Sequence, residues 1–522
     1  MKTFCTLRTM LRRNLEFNPG KTALIEGTRS YTFAEMIERC NRMGNALLDF
    51  GLEKGERVAV ISKNSIENAE FYFSIPGAGL VLVMLNFRLA PREMQDILVD
   101  AEPAVVIVNR EYVGHYEQIK DALPFVREVI FIGDPAETPA GWHHYEELLE
   151  KSSPDVPGAD LFEDDLAALL YTSGTTGAPK GCMAIHRNFY HVGRSLTLEL
   201  KMDEDDVGII ASPLFHATGE VTLMNHVYNG TTSVIMPSWD VALFLELVEK
   251  YRITTGMLAT PMVLFLAEFP EAGNYDFSSL KKLYFAGAPV TPVVFQKAIE
   301  IYGNVFIHLF GTSETVGQTT ILKLTDVARA LESGRTEILA SCGRSFADME
   351  SVVVDEHDNP TPPGVVGELK VRGLGNTIGY WRKKAETEAV FRHGWYYPLD
   401  LCMVDEEGFI YIVDRKKDMI ITGGENVYPA EVENVLYRHP AVAQAAVIAL
   451  PDKKWGEAVT AIVQLKAGGD VNGDELRSFC KKEIASYKVP RRVFFIAEMP
   501  RSASGKILKY KLREQYQPQG SA

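Results

Sequence analysis

Apolar and polar positions follow two different periods along this chain. Short runs rich in Val and Ile, namely RVAVIS, AVVIVN and EVIFIG, are apolar almost throughout, as expected of parallel strands buried on both faces. Between them lie segments such as TFAEMIERCNRMGNALLDFG, whose apolar residues return at helical spacing and which end at Gly. This alternation predicts parallel sheets covered by helices, an α/β fold. From about Ser341 the pattern changes to short strands and turns, as in SVVVDEHDNPTPPGVVGELKVRG and GFIYIVDR, which predicts an antiparallel or barrel-like piece. A last, small α+β unit begins near Lys417, with helix EVENVLYRHP, strands AVIAL and AVTAIVQL, and a helix before SYKVPRR. The segment at that boundary, DRKKDMIITGGEN, is charged and then glycine-rich, which suits a hinge between domains or an ordinary surface loop.

The length of 522 residues allows about two to four structural units, and 46% hydrophobic with 24% charged residues is the make-up of a globular protein rather than a disordered one. With 54 Lys and Arg against 69 Asp and Glu, the formal net charge of −15 argues against nucleic acid or an anionic membrane as the main partner. The six cysteines, Cys5, Cys40, Cys182, Cys342, Cys402 and Cys480, form no C-x-x-C pair and no cysteine–histidine cluster at metal-ligand spacing, so they read as reduced thiols of a cytoplasmic protein. The N-terminus is broken by charge before any apolar run of signal length, and GLVLVML near residue 80 is too short to span a bilayer, so neither export nor an integral membrane segment is expected.

Three sets of residues carry chemistry. YTSGTTGAPKG, Tyr171 to Gly181, holds three glycines, five hydroxyls and one lysine in eleven residues, enough N–H groups, donors and positive charge to cradle a polyphosphate. It is not the G-x-x-x-x-G-K-[ST] loop, because Lys180 is followed by Gly181. HLFGTSETVG, His308 to Gly317, offers Gly311 for close approach, hydroxyls at Thr312 and Ser313, and the Glu314 carboxylate, a candidate ligand for magnesium on nucleotide phosphates; S-E-T also occurs as a helix cap. Asp400 in GWYYPLD, Arg415 in VDRKKD and Lys506 in PRSASGKILK could hold a ribose diol, hold ribose or phosphate, and neutralise charge on a phosphoryl oxygen.

Together these motifs resemble the adenylate-forming superfamily of acyl-CoA synthetases, aryl-CoA ligases, firefly-type luciferases and peptide-synthetase adenylation domains. YTSGTTGAPKG is similar to its signature loop, FGTSE to its Y-G-x-T-E element, GELKVRG and GWYYPLD to its ribose segment, DRKKDMIITGGENVYPAEVE to its hinge, and PRSASGK to its catalytic-lysine motif, in family order across nearly the whole chain. The resemblance implies a large N-terminal domain, residues 1–416, of two parallel-type α/β sheets and a small β-barrel, followed by a mobile α+β domain, 417–522, turning at Lys417. It implies that Thr172, Ser173, Gly174, Thr175, Thr176, Gly177 and Lys180 embrace the ATP phosphates, with Thr172 close to the chemistry. Glu314 would ligate Mg2+. Gly287, Ala288, Pro289 and Phe310, with Gly311, Thr312 and Ser313, would surround AMP. Asp400 and Arg415 would hold ribose, and Lys506 would meet the carboxylate and α-phosphate. Gly423, Gly424 and Trp455 would face coenzyme A.

The implied reaction has two halves: a carboxylic acid and ATP give acyl-AMP and pyrophosphate, and the CoA thiol then expels AMP. Loading of a carrier-protein phosphopantetheine and a luciferase-like oxidation of acyl-AMP are the alternatives; the expected partners are the small-molecule acid and CoA, with a homodimer open. Three departures stand out: Phe310 in place of Tyr, Ser313 in place of Thr, and Pro398-Leu399-Asp400 in place of T-G-D, the last stiffening the backbone before the ribose carboxylate. By the same resemblance, SPLFHATGEVTLMNHVYNG is the acyl-pocket wall and His216 its gate, with Gly219, Pro261, Ala286, Gly311 and Val316 around the acid. Phe215 to Thr218 include no aspartate for an α-ammonium, which favours an acid without an amino group, and the small and apolar residues near Pro261, Ala286, Gly311 and Val316 suit a medium-chain, alicyclic or aryl one. Glu220 could face a cationic acid such as a betaine, or be a helix-start or surface glutamate.

Overall fold

A computed structural model describes residues 4–172, 179–288, 290–416, 418–422, 425–452, 455–501 and 507–517. The chain divides into two compact units, Met1–Ser351 with Val371–Tyr396, and Val352–Lys370 with Tyr397–Ala522.

In the first unit, seven strands form a sheet in the order His143–His144, Glu128–Ile132, Val105–Asn109, Arg57–Ile61, Val81–Met84, Leu166–Thr172, Lys180–Ile185. All neighbours are parallel except the last pair. The unbroken apolar runs are explained by cover on both faces. Val58, Val60, Leu82, Val105 and Ile107 enter one apolar cluster, while Ala59, Ile61, Val83, Val106 and Val108 enter another. The helix expected after residue 31 spans Phe33–Asp49; Thr32 and Glu35 form a capping box at its start, and Gly51, with φ of 74°, follows its end.

The second sheet of this unit has a parallel centre, Thr22–Glu26, Thr232–Ile235, Val207–Ile210, Thr255–Ala259, Lys282–Ala286, Phe306–Phe310, and antiparallel edges at Arg29–Thr32, Thr320–Leu322 and Arg344–Ser345. Two buried helices, His186–Glu199 and Ala217–Asn229, pack on one another beside it. The texture change near Ser341 marks antiparallel pairing, as expected: Phe391–Arg392 with Trp395–Tyr396 in the first unit, and Asp400–Val404 with Ile410–Arg415 in the second.

The second unit also holds a mixed sheet in which Val442–Asp452 pairs antiparallel with Gly456–Leu465, and Arg492–Phe495 runs parallel beside it. Ala445 and Val447 face helices Pro429–Tyr437 and Gly473–Glu483, whereas Ala446 and Ile448 face Leu512 of helix Lys509–Tyr516. Among the described residues no helix is long and apolar enough to cross a membrane, and all six cysteines are free.

Candidate active site

Strands Leu166–Thr172 and Lys180–Ile185 form a hairpin that pairs Thr172 with Lys180, so the two ends of the hydroxyl-rich loop are held side by side. Residues 173–178, which include Ser173, Gly174, Thr175, Thr176 and Gly177, lie outside the described residues. Tyr171 anchors the base by donating a hydrogen bond to Asp100 Oδ2 at 2.6 Å, and its ring fills the space a side chain at Gly181 would need.

A second chain segment completes this edge. Met183 N–H donates to the Gly379 carbonyl and Trp381 N–H to that of Gly181, both at 2.8 Å, which places Tyr380 across from Cys182. Tyr380 then donates from its hydroxyl to Glu314 Oε1 at 2.6 Å, while the Lys180 ammonium sits 5.3 Å from the centroid of the same ring. The phosphate-loop lysine and the candidate metal carboxylate are thus joined through Tyr380, a residue that sequence reasoning missed. Burial, and next the Glu314 charge, push the Cys182 thiol up, so it stays protonated beside the carboxylate.

Glu314 belongs to the short turn Ser313–Thr315, half-buried, with its carbonyl accepting from Thr377 N–H at 2.8 Å. The turn is tight for a specific reason. A Cβ on Gly311 would fall 2.2 Å from the carbonyl carbon of Gly317 and 2.5 Å from the Gln318 nitrogen, so the close approach at Gly311 is by the loop's own returning backbone. Val316, fully buried and β-branched, is held at φ of 46°, a strained conformation for such a residue. Thr312 Oγ1 reaches Tyr396 Oη at 3.5 Å.

Gly287 and Ala288 are exposed at the end of strand Lys282–Ala286, and the Thr260 hydroxyl donates to the Ala288 carbonyl at 2.8 Å. Gly287 has φ of 106°, and nothing lies within 4 Å of where a Cβ would stand, which leaves a bare backbone face suited to a flat base. Phe310 is half-buried at the end of the neighbouring strand, and Pro289 lies outside the described residues.

His216 caps helix Ala217–Asn229: its Nδ1 accepts from Thr218 N–H at 3.2 Å, which puts the proton of the neutral ring on Nε2. Gly219 packs against the Pro213 carbonyl, which a Cβ would approach to 2.2 Å. Ala286 is buried, and Pro261 is exposed in the first turn of Thr260–Glu268. Glu220 is a helix-start residue, as one reading had it, but it is buried at 1% exposure and has no salt bridge among the described residues.

In the second unit, Asp400 is buried and pairs directly across the ladder with Arg415, which brings the two ribose candidates together. Trp455 receives the Arg491 guanidinium 3.9 Å from its ring centroid. Lys417, Gly423, Gly424 and Lys506 lie outside the described residues.

The model of the AMP-binding enzyme family matches residues 11–381, and that of the AMP-binding enzyme C-terminal domain matches 431–506. The chain belongs to the AMP-binding enzyme family. By that membership it is an ATP-dependent, AMP-forming ligase of the acyl- and aryl-CoA ligase type within the adenylate-forming superfamily. It is 34% identical to a feruloyl-CoA synthase of Amycolatopsis sp over 97% of this chain and 98% of the relative. It is 31% identical to the long-chain-fatty-acid–CoA ligase FadD13 of Mycobacterium tuberculosis, over 97% and 98%. Among solved structures, ATP-bound MatB from Rhodopseudomonas palustris aligns with a TM-score of 0.88 at 28% identity, covering 98% of this chain and 99% of the other. The o-succinylbenzoate CoA synthetase of Bacillus subtilis, in complex with its acyl-adenylate OSB-AMP, aligns with a TM-score of 0.85 at 30% identity, covering 97% of both.

For an AMP-binding enzyme the Pro398-Leu399-Asp400 departure is resolved by backbone geometry. Leu399 adopts φ of 63°, the left-handed conformation that glycine takes readily, so the leucine bears roughly 1–2 kcal/mol of strain where a glycine would bear none. The donor chemistry also fits a magnesium ion carried on nucleotide phosphates. Glu314 keeps lone pairs beyond the one engaged by Tyr380, and one carboxylate is what such an ion takes from a protein. Glu314→Gln retains an acceptor for Tyr380 and is expected to fold, to lose activity about 10- to 100-fold and to need more Mg2+ for half-maximal rate. An unchanged magnesium titration would remove Glu314 from that role.

Proposed function

We propose that the chain activates a carboxylic acid with ATP to give acyl-AMP and pyrophosphate and then transfers the acyl group to the thiol of coenzyme A, releasing AMP. The observation that carries this reading is the Lys180–Tyr380–Glu314 array at the base of the phosphate loop. It sets a cation at the ring and a carboxylate at the hydroxyl of one tyrosine, an arrangement for holding a polyphosphate. Magnesium, when bound at Glu314, supplies neutralisation of phosphate charge. The rest falls to the chain's own residues. Thr172 and the loop after it hold the phosphates, while Gly287, Ala288, Pro289 and Phe310 take adenine. Asp400 with Arg415 takes ribose. Lys506 draws the acid's carboxylate toward the α-phosphorus and offsets the charge that develops there. No protein nucleophile is required.

On the same reading residues 417–522 turn about Lys417 between the half-reactions, withdrawing Lys506 and presenting Gly423, Gly424 and Trp455 to the thiol. The acid is a medium-chain, alicyclic or aryl one without an amino group. The names of the feruloyl-CoA synthase and of an indoleacetate–CoA ligase of Aromatoleum aromaticum, 31% identical, support the aryl end of that range. Glu220, buried in the first turn of helix Ala217–Asn229 with Oε2 facing Tyr72 Oη at 3.5 Å, fits a helix-start glutamate better than a partner for a betaine. Free cysteines and a CoA co-substrate fit a cytoplasmic setting.

An acid labelled with 18O in its carboxyl group tests the first half-reaction. Attack on the α-phosphorus transfers one label to AMP, whereas label-free AMP, or release of ADP, would refute it.

A further inference from the structure

Three neighbouring parallel strands of the second sheet end level with one another. Thr255–Ala259 pairs with Lys282–Ala286 as far as the rung Ala259–Ala286, and Lys282–Ala286 pairs with Phe306–Phe310 as far as Phe285–His308. Carried past their last rungs, these registers set Thr260, Gly287 and Phe310 in one row at the carboxyl ends of the strands, where open α/β sheets hold their ligands. Gly287, Ala288 and Phe310 are assigned above to adenine. Thr260, buried at the start of helix Thr260–Glu268, has no role in that assignment.

Its hydrogen bonds supply one. The Thr260 hydroxyl donates to the Ala288 carbonyl at 2.8 Å, with the Ala286 carbonyl 3.2 Å away, and its oxygen accepts from Ala288 N–H at 3.3 Å. A hydroxyl has one hydrogen and two lone pairs, so this reciprocal pair with a single residue takes the hydrogen and one lone pair. Ala288 N–H belongs to the peptide before that residue and its carbonyl to the peptide after it. One side chain therefore orients two consecutive peptide planes. The sheet does not orient them itself, because beyond Ala259 the neighbouring strand has turned into a helix. Left alone, the strip would be loose: Gly287, at φ of 106°, brings no side chain to restrain it, and Ala288 is exposed. A flat base packs best on a surface already fixed, since ordering done before binding is not charged to the ligand.

We infer that Thr260 is a positioning residue for the nucleotide, its hydroxyl setting the Gly287–Ala288 strip in the orientation on which adenine packs. It acts through Ala288 and not by contact with the base. The inference rests on the adenine reading under Proposed function and adds the residue that makes that strip rigid.

The test compares the full-length wild-type protein with Thr260→Val, which keeps the shape and removes the hydroxyl, and with Thr260→Ser, which keeps the hydroxyl. Three quantities are read: kcat and KM for ATP with an accepted acid and CoA, Kd for AMP by calorimetry, and inhibition by inorganic triphosphate, which has no base. Thr260→Val is expected to fold, because water can reach the exposed Ala288 groups that it frees. Its KM for ATP and Kd for AMP should rise about 5- to 30-fold, with kcat, KM for the acid and triphosphate inhibition within about twofold of wild type. The loss falls on KM because adenine lies away from the reacting phosphorus and is held alike in ground and transition states. Thr260→Ser should return both constants toward wild type. If Thr260→Val does not fold, Thr260→Ala is read in the same way. Unchanged AMP binding, an equal weakening of triphosphate, or a serine variant as weak as the valine one would overturn the inference and leave the ligase reading intact. A wild type that binds no AMP and releases no pyrophosphate with any acid would overturn the adenine reading and this inference with it.

Discussion

Lys506→Ala is expected to lower acyl-AMP formation from free acid and ATP by about 10²- to 10³-fold while leaving thioester formation from supplied acyl-AMP within a few-fold of wild type. The asymmetry follows from what each half-reaction requires. In the first, negative charge on the carboxylate must approach the already negative α-phosphate, and charge builds on the non-bridging oxygens as the new bond forms. A lysine placed there lowers that barrier directly. In the second, a thiol attacks a mixed anhydride whose leaving group is AMP, and a distant ammonium contributes little. Single-turnover assays started from acid and ATP, or from isolated acyl-AMP and CoA, separate the two. Equal loss in both would mean that Lys506 serves the whole cycle or the fold, and the idea of a domain turning about Lys417 would lose its support.

Glu220→Gln is expected to change the pH dependence of stability by about 2.5 kcal/mol between pH 6 and pH 9. Glu220 is 1% exposed. Tyr72, the neighbour of its Oε2, also donates to the Leu214 carbonyl, and Glu220 Oε1 has no partner among the described residues. Burial, only partly offset by Tyr72, pushes the carboxyl from its ordinary 4.5 up to about 8. The folded protein thus holds a proton that the unfolded chain releases above pH 4.5. Stability from this neutral carboxyl is fully present below that value and is lost as pH rises toward 8. Glutamine carries no such proton. Urea unfolding of both proteins at the two pH values should therefore show the variant gaining on the wild type as pH rises. Glu70, also pushed up by burial, to about 7, titrates in both proteins and cancels. A constant difference between variant and wild type would show Glu220 to be ionised in the fold.

Much of this was legible in the sequence because it depends on local spacing. The runs RVAVIS and AVVIVN become strands with alternate residues in two cores, and the hydroxyl-rich loop sits on a hairpin whose strands are consecutive in the chain. What escaped depends on long-range packing. Tyr380 reaches Glu314 across 66 residues, and nothing in NTIGYW distinguishes that tyrosine from a core aromatic. The stacking of Arg491 on Trp455 has no sequence period either. Strand Thr22–Glu26 joins the second sheet beside Thr232–Ile235, a pairing that no local pattern announces.

The most direct test of the central claim is the stoichiometry of one complete turnover. The protein is incubated with ATP, Mg2+ and CoA and with a panel of aliphatic, alicyclic, aryl and hydroxylated acids, and all products are quantified by mass spectrometry. The account predicts that an accepted acid yields pyrophosphate, AMP and acyl-CoA in equal amounts, with no acyl-CoA when CoA is left out. Pyrophosphate and AMP without any acyl-CoA, or ADP and phosphate in their place, would contradict it.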